Sequence, residues 1–143
     1  MFILDTNILS AMMRYERVPE VATWMAAVPD DLMFTTSISQ AEILAGLAVM
    51  PAGRRRHALE AEAAVMFGKA FAGRVLAFDG GGATAYAEIF ALRRQTGRPT
   101  PAPDLMIAAV ARSHGATVVT RDVGGFDGCG VAVVNPWNVA SRG

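Results

Sequence analysis

The stretch Phe2-Ile3-Leu4-Asp5-Thr6-Asn7 indicates how this chain folds. Its three apolar residues form a run typical of a buried strand, and residues 8–13 continue with the apolar spacing of a helix. Asp5 is therefore predicted where a strand ends and a helix begins. In open parallel α/β sheets, ligands bind beyond the carboxyl ends of the strands. Asp5 is thus a candidate active-site acid, although a carboxylate at this place could equally cap the helix.

The same alternation of strand and helix continues to the end of the chain. Further strands are predicted over residues 32–36, 74–78, 117–120 and 131–134. Helices are predicted over residues 7–13, 19–28, 37–49, 54–70, 83–95 and 104–114. This order predicts an α/β fold with a mostly parallel five-stranded sheet covered by helices on both faces. The length predicts one domain spanning residues 1–143.

Several segments between these elements are predicted as turns or loops, namely residues 14–18, 79–82, 97–103 and 121–130. The glycine triplet at 80–82 follows a strand and precedes a helix, as a phosphate-binding loop would. Its spacing is not G-x-G-x-x-G, however, and no Gly-Lys-Ser/Thr follows. The triplet is therefore predicted to be a flexible turn.

The composition narrows the class of protein. Apolar residues make up 52% of the chain and charged residues 18%, which is typical of a globular protein. No apolar run reaches the length of about 18 residues that a membrane span needs, and no basic segment precedes the first apolar run, as it would in a secretory signal. The single cysteine, Cys129, cannot form an internal disulfide, so a cytoplasmic protein is predicted. The net charge of zero gives no general reason to bind nucleic acid, but local patches can.

Three more acidic residues stand at places like that of Asp5. Glu42 lies in the first turns of the helix after the second strand, Asp104 opens the helix after a Pro-rich loop, and Asp122 follows the fourth strand. Each has a structural alternative: Ser39 and Glu42 fit a capping box, Asp104 suits a helix dipole, and Asp122 suits a turn. Because all four acids lie at the same kind of edge, we expect them to converge.

Converging carboxylates require protons or a cation. Two unit charges about 4 Å apart repel by about 4 kcal/mol at an effective dielectric constant near 20. Oxygen ligands without cysteine or clustered histidine favour Mg²⁺ or Mn²⁺ over zinc. The two histidines, His57 and His114, lie within or at the end of predicted helices and are predicted to be surface or packing residues. A carboxylate-held Mg²⁺ beside a phosphodiester is the arrangement for metal-assisted hydrolysis.

Four motifs together resemble those of the PIN-domain ribonucleases. They are residues 3–7 (ILDTN), Ser39-x-Ala41-Glu42-Ile43-x-x-Gly46, Asp104-Leu105-x-Ile107-Ala108-Ala109 and Thr120-Arg121-Asp122. Within that family the chain is most similar to the VapC and FitB toxins of toxin–antitoxin pairs, and residues 51–55 (PAGRR) and 134–137 (VNPW) fit the FitB-type branch. The resemblance covers nearly the whole chain, with the motifs in the right order.

This resemblance implies a fold, an activity and partners. The fold is a three-layer sandwich with a mostly parallel five-stranded sheet between helices. The activity is Mg²⁺- or Mn²⁺-dependent endonucleolytic cleavage of RNA. The partner is a small antitoxin whose tail blocks the active site and whose other end binds promoter DNA, so that the toxin meets that DNA only through the antitoxin. A homodimer is also implied.

Carried over residue by residue, Asp5, Glu42 and Asp104 match the core acids of the family. Asp122 matches the fourth position, where many relatives carry asparagine and place an acid before the phenylalanine of the following loop. That place is Gly125 here, so Asp127 remains an alternative fourth acid.

Three polar residues match positions that support the acids in the family, namely Thr6, Asn7 and Thr120. They are predicted to orient the carboxylates or ligated water.

The arginines provide candidates for substrate binding. Arg98 lies in the loop that leads to Asp104, and we hypothesise that it and its neighbours Arg93 and Arg94 hold the RNA backbone. Arg121 directly precedes Asp122 and could either meet a phosphate of the RNA or pair with a carboxylate. Instead of contacting RNA, Arg93 and Arg94 could simply complement the C-terminal dipole of their helix. For the antitoxin, Met12, Met13 and Trp24 are the predicted groove.

Two other functions remain open. A phosphatase with Asp5 as nucleophile would require the motif Asp-x-Asp-x-Thr, but Asn7 occupies the position of the second aspartate. A catalytically degenerate PIN domain that serves as a binding or dimerisation module is the other alternative, and the glycine at position 125 is the sequence feature that favours it.

Overall fold

A computed structural model describes residues 1–13 and 18–140. Within these residues, five strands form one sheet in the order β3-β2-β1-β4-β5, and every neighbouring pair is parallel. The first strand is thus central, which places the residue that follows it in the middle of the sheet edge. The strands are β1 Phe2–Leu4, β2 Met33–Thr36, β3 Val75–Leu76, β4 Thr117–Val119 and β5 Val133–Val134.

The helices connect these parallel strands. A 3₁₀ turn over Asp30–Leu32 leads into β2, and a π-helical turn over Met66–Ala70 ends the fourth helix. The α-helices are α1 Thr6–Met13, α2 Pro19–Ala27, α3 Ser37–Ala48, α4 Arg54–Val65, α5 Gly80–Gln95, α6 Ala102–Ser113, α7 Val123–Phe126 and α8 Pro136–Ala140. In the described part of the chain, no helix combines the length and the apolarity that crossing a membrane requires.

The sheet separates two apolar cores. Successive strand residues point to opposite faces, so Leu4 packs with α1 to α4 in one core and Ile3 packs with α5 to α7 in the other. Val119 and Val118 divide between the same two cores. All four residues are fully buried. Residues beyond the strand ends are thereby held between two packed layers.

The predicted α/β class with a parallel five-stranded sheet is confirmed. The prediction for the glycine triplet at 80–82 is corrected. Gly80 begins α5, and the side chain of Asp79 caps this helix by accepting from the Gly82 N–H at 3.1 Å. A flexible turn is therefore wrong at this place, since the cap makes three glycines acceptable in a first helical turn.

Other differences are local. The strands predicted over 74–78 and 131–134 are shorter, the helix predicted from residue 104 begins at Ala102, and the loop predicted over 121–130 contains α7. The charged turn predicted over 14–18 lies outside the described residues except for Val18.

Candidate active site

Asp5 lies directly after the central strand, and only 4% of it is exposed. Its Oδ1 accepts a hydrogen bond from the Thr6 N–H at 2.7 Å, and its Oδ2 accepts one from Thr120 Oγ1 at 2.8 Å. Burial raises the pKa of Asp5 above its ordinary value; the bonds from Thr120 and Thr6 oppose this rise, and the charges of Glu42 and Asp122 add to it. Asn7 Nδ2 also donates to Oδ2, at 3.5 Å, so Asp5 is a buried acid whose orientation is fixed by hydrogen bonds to both oxygens.

Glu42 projects from α3 and is exposed. Its Oε1 accepts a hydrogen bond from Thr6 Oγ1 at 2.7 Å. The predicted capping box is wrong, because α3 begins one turn earlier: Thr36 is the N-cap and its side chain accepts from the Ser39 N–H at 3.1 Å. The early start turns Ser39 into the interior and leaves Glu42 free to face Asp5.

Asp104 is the third residue of α6 and is partly buried. Its pKa is raised to about 6, first by burial and then by the charges of Asp5, Asp122 and Glu42, in that order. The position near the helix start fits the predicted dipole effect. The electrostatic coupling to three other carboxylates shows in addition that Asp104 faces the site.

Asp122 caps α7, where its Oδ1 accepts from the Gly125 N–H at 3.2 Å. Its charge acts on both Asp5 and Asp104, whereas Asp127 pairs with Arg98 at 3.2 Å. The structure thus brings four carboxylates of the sequence prediction together and places the alternative fourth acid in an ion pair of its own.

Thr120 and Asn7 form a hydrogen-bond network on one side of Asp5. Thr120 Oγ1 accepts from the Asp122 N–H at 3.0 Å and from Asn7 Nδ2 at 3.1 Å, while it donates to Asp5. Asn7 Oδ1 in turn accepts from the Arg121 N–H at 3.2 Å. These contacts tie the segments after β1 and β4 to each other around the buried carboxylate.

The predicted substrate arginines have neighbours of their own. The guanidinium of Arg121 lies 4.9 Å from the ring centroid of Trp137, beside Asp122 in sequence. Arg98 is paired with Asp127. Arg93 is 6% exposed and donates to Thr100 Oγ1 at 2.6 Å and to the Asp127 carbonyl. Arg93 therefore faces the interior, which the sequence does not predict, because cations at a helix end are ordinarily solvated.

The donor set of the four acids fits a Mg²⁺ or Mn²⁺ ion. Their ligand atoms are all oxygen, and after burial the charges of the other three acids also raise the pKa of Asp104, an effect that a cation would oppose. Among the described residues, no group of three or more histidine, cysteine, aspartate or glutamate side chains is arranged so that it could hold a metal ion by itself. Mg²⁺ does not need such a group, since it usually keeps several waters and binds through one or two carboxylates plus phosphate oxygens.

The family model for the PIN domain matches residues 2–127. The chain belongs to the PIN-domain family. It is 36% identical to "VapC ribonuclease Y4jK" of Sinorhizobium fredii, over 98% of this chain and 100% of that protein. It is 35% identical to "Toxin FitB" of Neisseria gonorrhoeae, over 96% of this chain and 99% of that protein. The solved structure of FitAB bound to the IR36 DNA fragment superposes with a TM-score of 0.89 at 35% identity, covering 96% of each chain.

Proposed function

We propose that this protein is a Mg²⁺- or Mn²⁺-dependent endoribonuclease and the toxin of a toxin–antitoxin pair. The observation that carries the proposal is the convergence of three carboxylates from separate segments, those of Glu42, Asp104 and Asp122, on buried Asp5, as the effects of the four charges on the pKa values of Asp5 and Asp104 indicate. The names of the two relatives, a VapC ribonuclease and a toxin, support the same activity and role.

The acids divide the work of phosphodiester hydrolysis among them. Asp5, Asp104, Asp122 and Glu42 would hold the ion, which when bound supplies a more acidic water and neutralises charge on the phosphate. Asp5 keeps its orientation through the donors on both of its oxygens. Glu42 accepts from Thr6 through Oε1, and we assign to its Oε2 the removal of the proton from the attacking water. As the water oxygen bonds to phosphorus, the P–O bond to the departing ribose oxygen breaks, and that oxygen takes a proton from solvent water.

Arg121 is the better placed of the two arginines predicted to hold RNA. Its guanidinium lies on the ring of Trp137, and its backbone is bonded to Asn7 at the edge of the acid cluster. A phosphate next to the scissile bond would meet this guanidinium, which makes RNA binding salt-dependent. Arg98 is already paired with Asp127, so a weaker role is expected for it.

A groove beside the acids suits the tail of an antitoxin. It is a cavity of about 710 Å³ between α1, α3 and α4, and Thr6 and Glu42 line it together with Met13, Leu47 and other apolar residues. A peptide bound here would reach the active site, as the predicted blocking tail requires. We also propose that the toxin associates with promoter DNA only through the antitoxin and that the toxin forms a homodimer.

The antitoxin groove predicted at Met12, Met13 and Trp24 needs correction. Trp24 is buried in the core, 8% exposed, and its ring packs edge-to-face on Phe2 at 5.3 Å. Met12 lines a separate cavity of about 270 Å³ against α2. Only Met13 lies in the groove next to the acids. The methionine pattern could not separate these cases, because core packing and partner binding both favour methionine.

The decisive experiment is incubation of the antitoxin-free chain with structured RNA in Mg²⁺, in Mn²⁺ and in EDTA. Asp5→Asn removes a central acid, and Asp127→Asn is the matched control because it removes an acid outside the cluster. We expect metal-dependent cleavage that is lost in the first variant and kept in the second. Absence of cleavage by folded, metal-saturated protein would overturn the proposal and leave the degenerate binding module.

The phosphatase alternative predicts a different product. A nucleophilic Asp5 would retain a phosphoryl group after reaction with a phosphate ester. Both oxygens of Asp5 already accept hydrogen bonds, which lowers their nucleophilicity and favours a role as ligand. Mass spectrometry of the intact chain after incubation with a phosphomonoester distinguishes the two functions.

A further inference from the structure

Ser39 is a fully buried residue on α3, and its hydroxyl lies next to Thr6, which is hydrogen-bonded to Glu42 of the acid cluster. Its Oγ is 3.0 Å from Thr6 Oγ1, and its backbone N–H donates to Thr36 Oγ1 at 3.1 Å. Ser39 is thus held by the cap of its own helix and reaches across to α1. The sequence predicts only a capping role for this residue.

Counting protons gives a direction to the contact between the two hydroxyls. A threonine hydroxyl has one proton, and an ionised carboxylate can only accept. Thr6 lies 2.7 Å from Glu42 Oε1, so its proton belongs to that bond. The proton between Ser39 and Thr6 must then come from Ser39. The three side chains form a relay in which Ser39 donates to Thr6 and Thr6 donates to Glu42.

This relay restricts the conformations that the Glu42 side chain adopts. Glu42 is exposed, and an exposed glutamate samples several rotamers. Thr6 is in a helix, where a threonine side chain divides between two rotamers. Donation from Ser39 favours the rotamer of Thr6 that faces Glu42, and chained hydrogen bonds strengthen one another. The buried end of the relay thereby fixes the exposed end.

We propose that Ser39 is a positioning residue that orients Glu42 through Thr6. This inference rests on the proposed nuclease function, in which Glu42 takes the proton of the attacking water. Removal of the Ser39 hydroxyl should leave substrate affinity unchanged and lower the rate of the chemical step, because Ser39 does not meet the RNA.

A double-mutant cycle between Ser39→Ala and Thr6→Val tests the pathway. In the wild-type background, Ser39→Ala should lower kcat for RNA cleavage by about three- to tenfold, with KM unchanged. In the Thr6→Val background it should have no further effect, because the relay is already broken. In the Thr6→Ser background, which keeps the hydroxyl, the full effect should return. An equal loss in all three backgrounds, or no loss in the wild-type background, overturns the proposal.

A second measurement separates this inference from the nuclease function. The ¹³C resonance of the Glu42 side-chain carboxyl, assigned with Glu42→Gln, reports its hydrogen bond without RNA or metal. Ser39→Ala should shift it in the wild-type background and leave it unmoved in the Thr6→Val background. A wild-type chain that cleaves no RNA but shows this pattern refutes the nuclease and retains the relay. A resonance that does not respond to Ser39→Ala refutes the relay.

Two variants control for nonspecific effects. Ser113→Ala makes the same chemical change in α6, where the hydroxyl donates to the Val110 carbonyl at 2.8 Å, and should leave kcat and the Glu42 resonance unchanged. If Ser39→Ala fails to fold, Ser39→Cys retains the volume and a weak donor, and it should give a smaller loss of kcat in the same cycle.

Discussion

Thr120 Oγ1 donates a hydrogen bond of 2.8 Å to Asp5 Oδ2, and both residues are buried. The contact exists because β1 and β4 are parallel neighbours in which Leu4 pairs with Val119, so that the residues after them meet. A hydroxyl that donates to a buried carboxylate stabilises its charged form. The strand pairing thus determines which polar group supports the central acid, although the two residues are far apart in sequence.

Thr120→Val should destabilise the protein at neutral pH by about 1.5–3 kcal/mol, since a buried carboxylate loses a charge-assisted donor. The loss should shrink at low pH, where Asp5 is protonated, because Thr120 lowers the pKa of Asp5. Urea unfolding at neutral and acidic pH measures both quantities. Thr120→Ser keeps the hydroxyl and serves as the control; equal destabilisation by the two variants would contradict the argument.

Asp104 should make the metal-free protein less stable as pH rises from about 4 to about 7. Its pKa is raised from 3.8 to about 6 in the folded protein, so folding favours the protonated form. The stabilisation is complete below the unfolded pKa and is lost as pH rises through the folded pKa. Because protons and Mg²⁺ compete for the same oxygens, Mg²⁺ should stabilise the protein more at the upper end of this range.

The measurement compares the wild type with Asp104→Asn by urea unfolding across this pH range. The amide is neutral throughout, so the variant should show a flatter pH dependence. Identical pH profiles in the two proteins would show that Asp104 does not carry the effect.

Gly125→Ala should disturb Asp122 specifically. A Cβ at this position would lie 2.7 Å from Asp122 Oδ2 and 3.1 Å from its Cγ, so the carboxylate must move, and we expect this movement to weaken the bond that its Oδ1 accepts from the Gly125 N–H. We expect weaker Mg²⁺ binding and slower RNA cleavage, with a stability loss of about 0.5–2 kcal/mol from the weakened cap. Calorimetric Mg²⁺ titration and cleavage assays measure these effects.

Gly124→Ala is the matched control for this change. A Cβ there meets nothing within 4 Å, and alanine favours the helix. Its Mg²⁺ affinity and cleavage rate should equal those of the wild type. A Gly125→Ala protein that behaves like the control would show that the orientation of Asp122 does not matter.

Arg93→Met should destabilise the protein by about 2–4 kcal/mol, because it leaves the Thr100 hydroxyl and the Asp127 carbonyl without their buried donor. Arg94→Ala, at an exposed neighbouring position, should change stability by about 0.5 kcal/mol or less. Thermal or urea unfolding of both variants tests this. Comparable losses in the two would mean that burial of Arg93 contributes nothing.

Arg98→Ala tests the substrate role that the sequence predicts. The ion pair with Asp127 is exposed and should contribute about 1 kcal/mol or less to stability. If Arg98 also binds RNA, KM should rise and its salt dependence should weaken. A cleavage rate insensitive to Arg98→Ala and reduced by Arg121→Ala would assign the phosphate contact to Arg121 alone.

Local patterns predict the fold class and the place of the acids well. The apolar run before Asp5 and the helical spacing after it suffice to place a carboxylate at a strand end. Glu42 and Asp104 follow from the same alternation. The element boundaries are less well predicted, because side-chain caps such as Asp79, which starts α5 at Gly80, determine them and several nearby residues could have served.

The pairing of polar groups is beyond local patterns. Ser39 and Glu42 have the spacing of a capping box, and the structure excludes it by showing that the Thr36 side chain caps α3. Arg93 has the position of a solvated helix-end cation, and only the loops packed around it show that it is buried. Trp24 is the type of residue that often lines a partner-binding groove, yet it lies in the core.

The sequence by itself determined the alternating α/β architecture, the four acids and the family. Hydrophobic periodicity and the order of motifs are properties of short segments, which carry them in any tertiary context. Only the tertiary structure decided that Thr120 supports Asp5, that Ser39 reaches Glu42 through Thr6 and that Asp127 pairs with Arg98. These contacts join segments distant in the chain, and they depend on strand order and helix packing, which short segments do not specify.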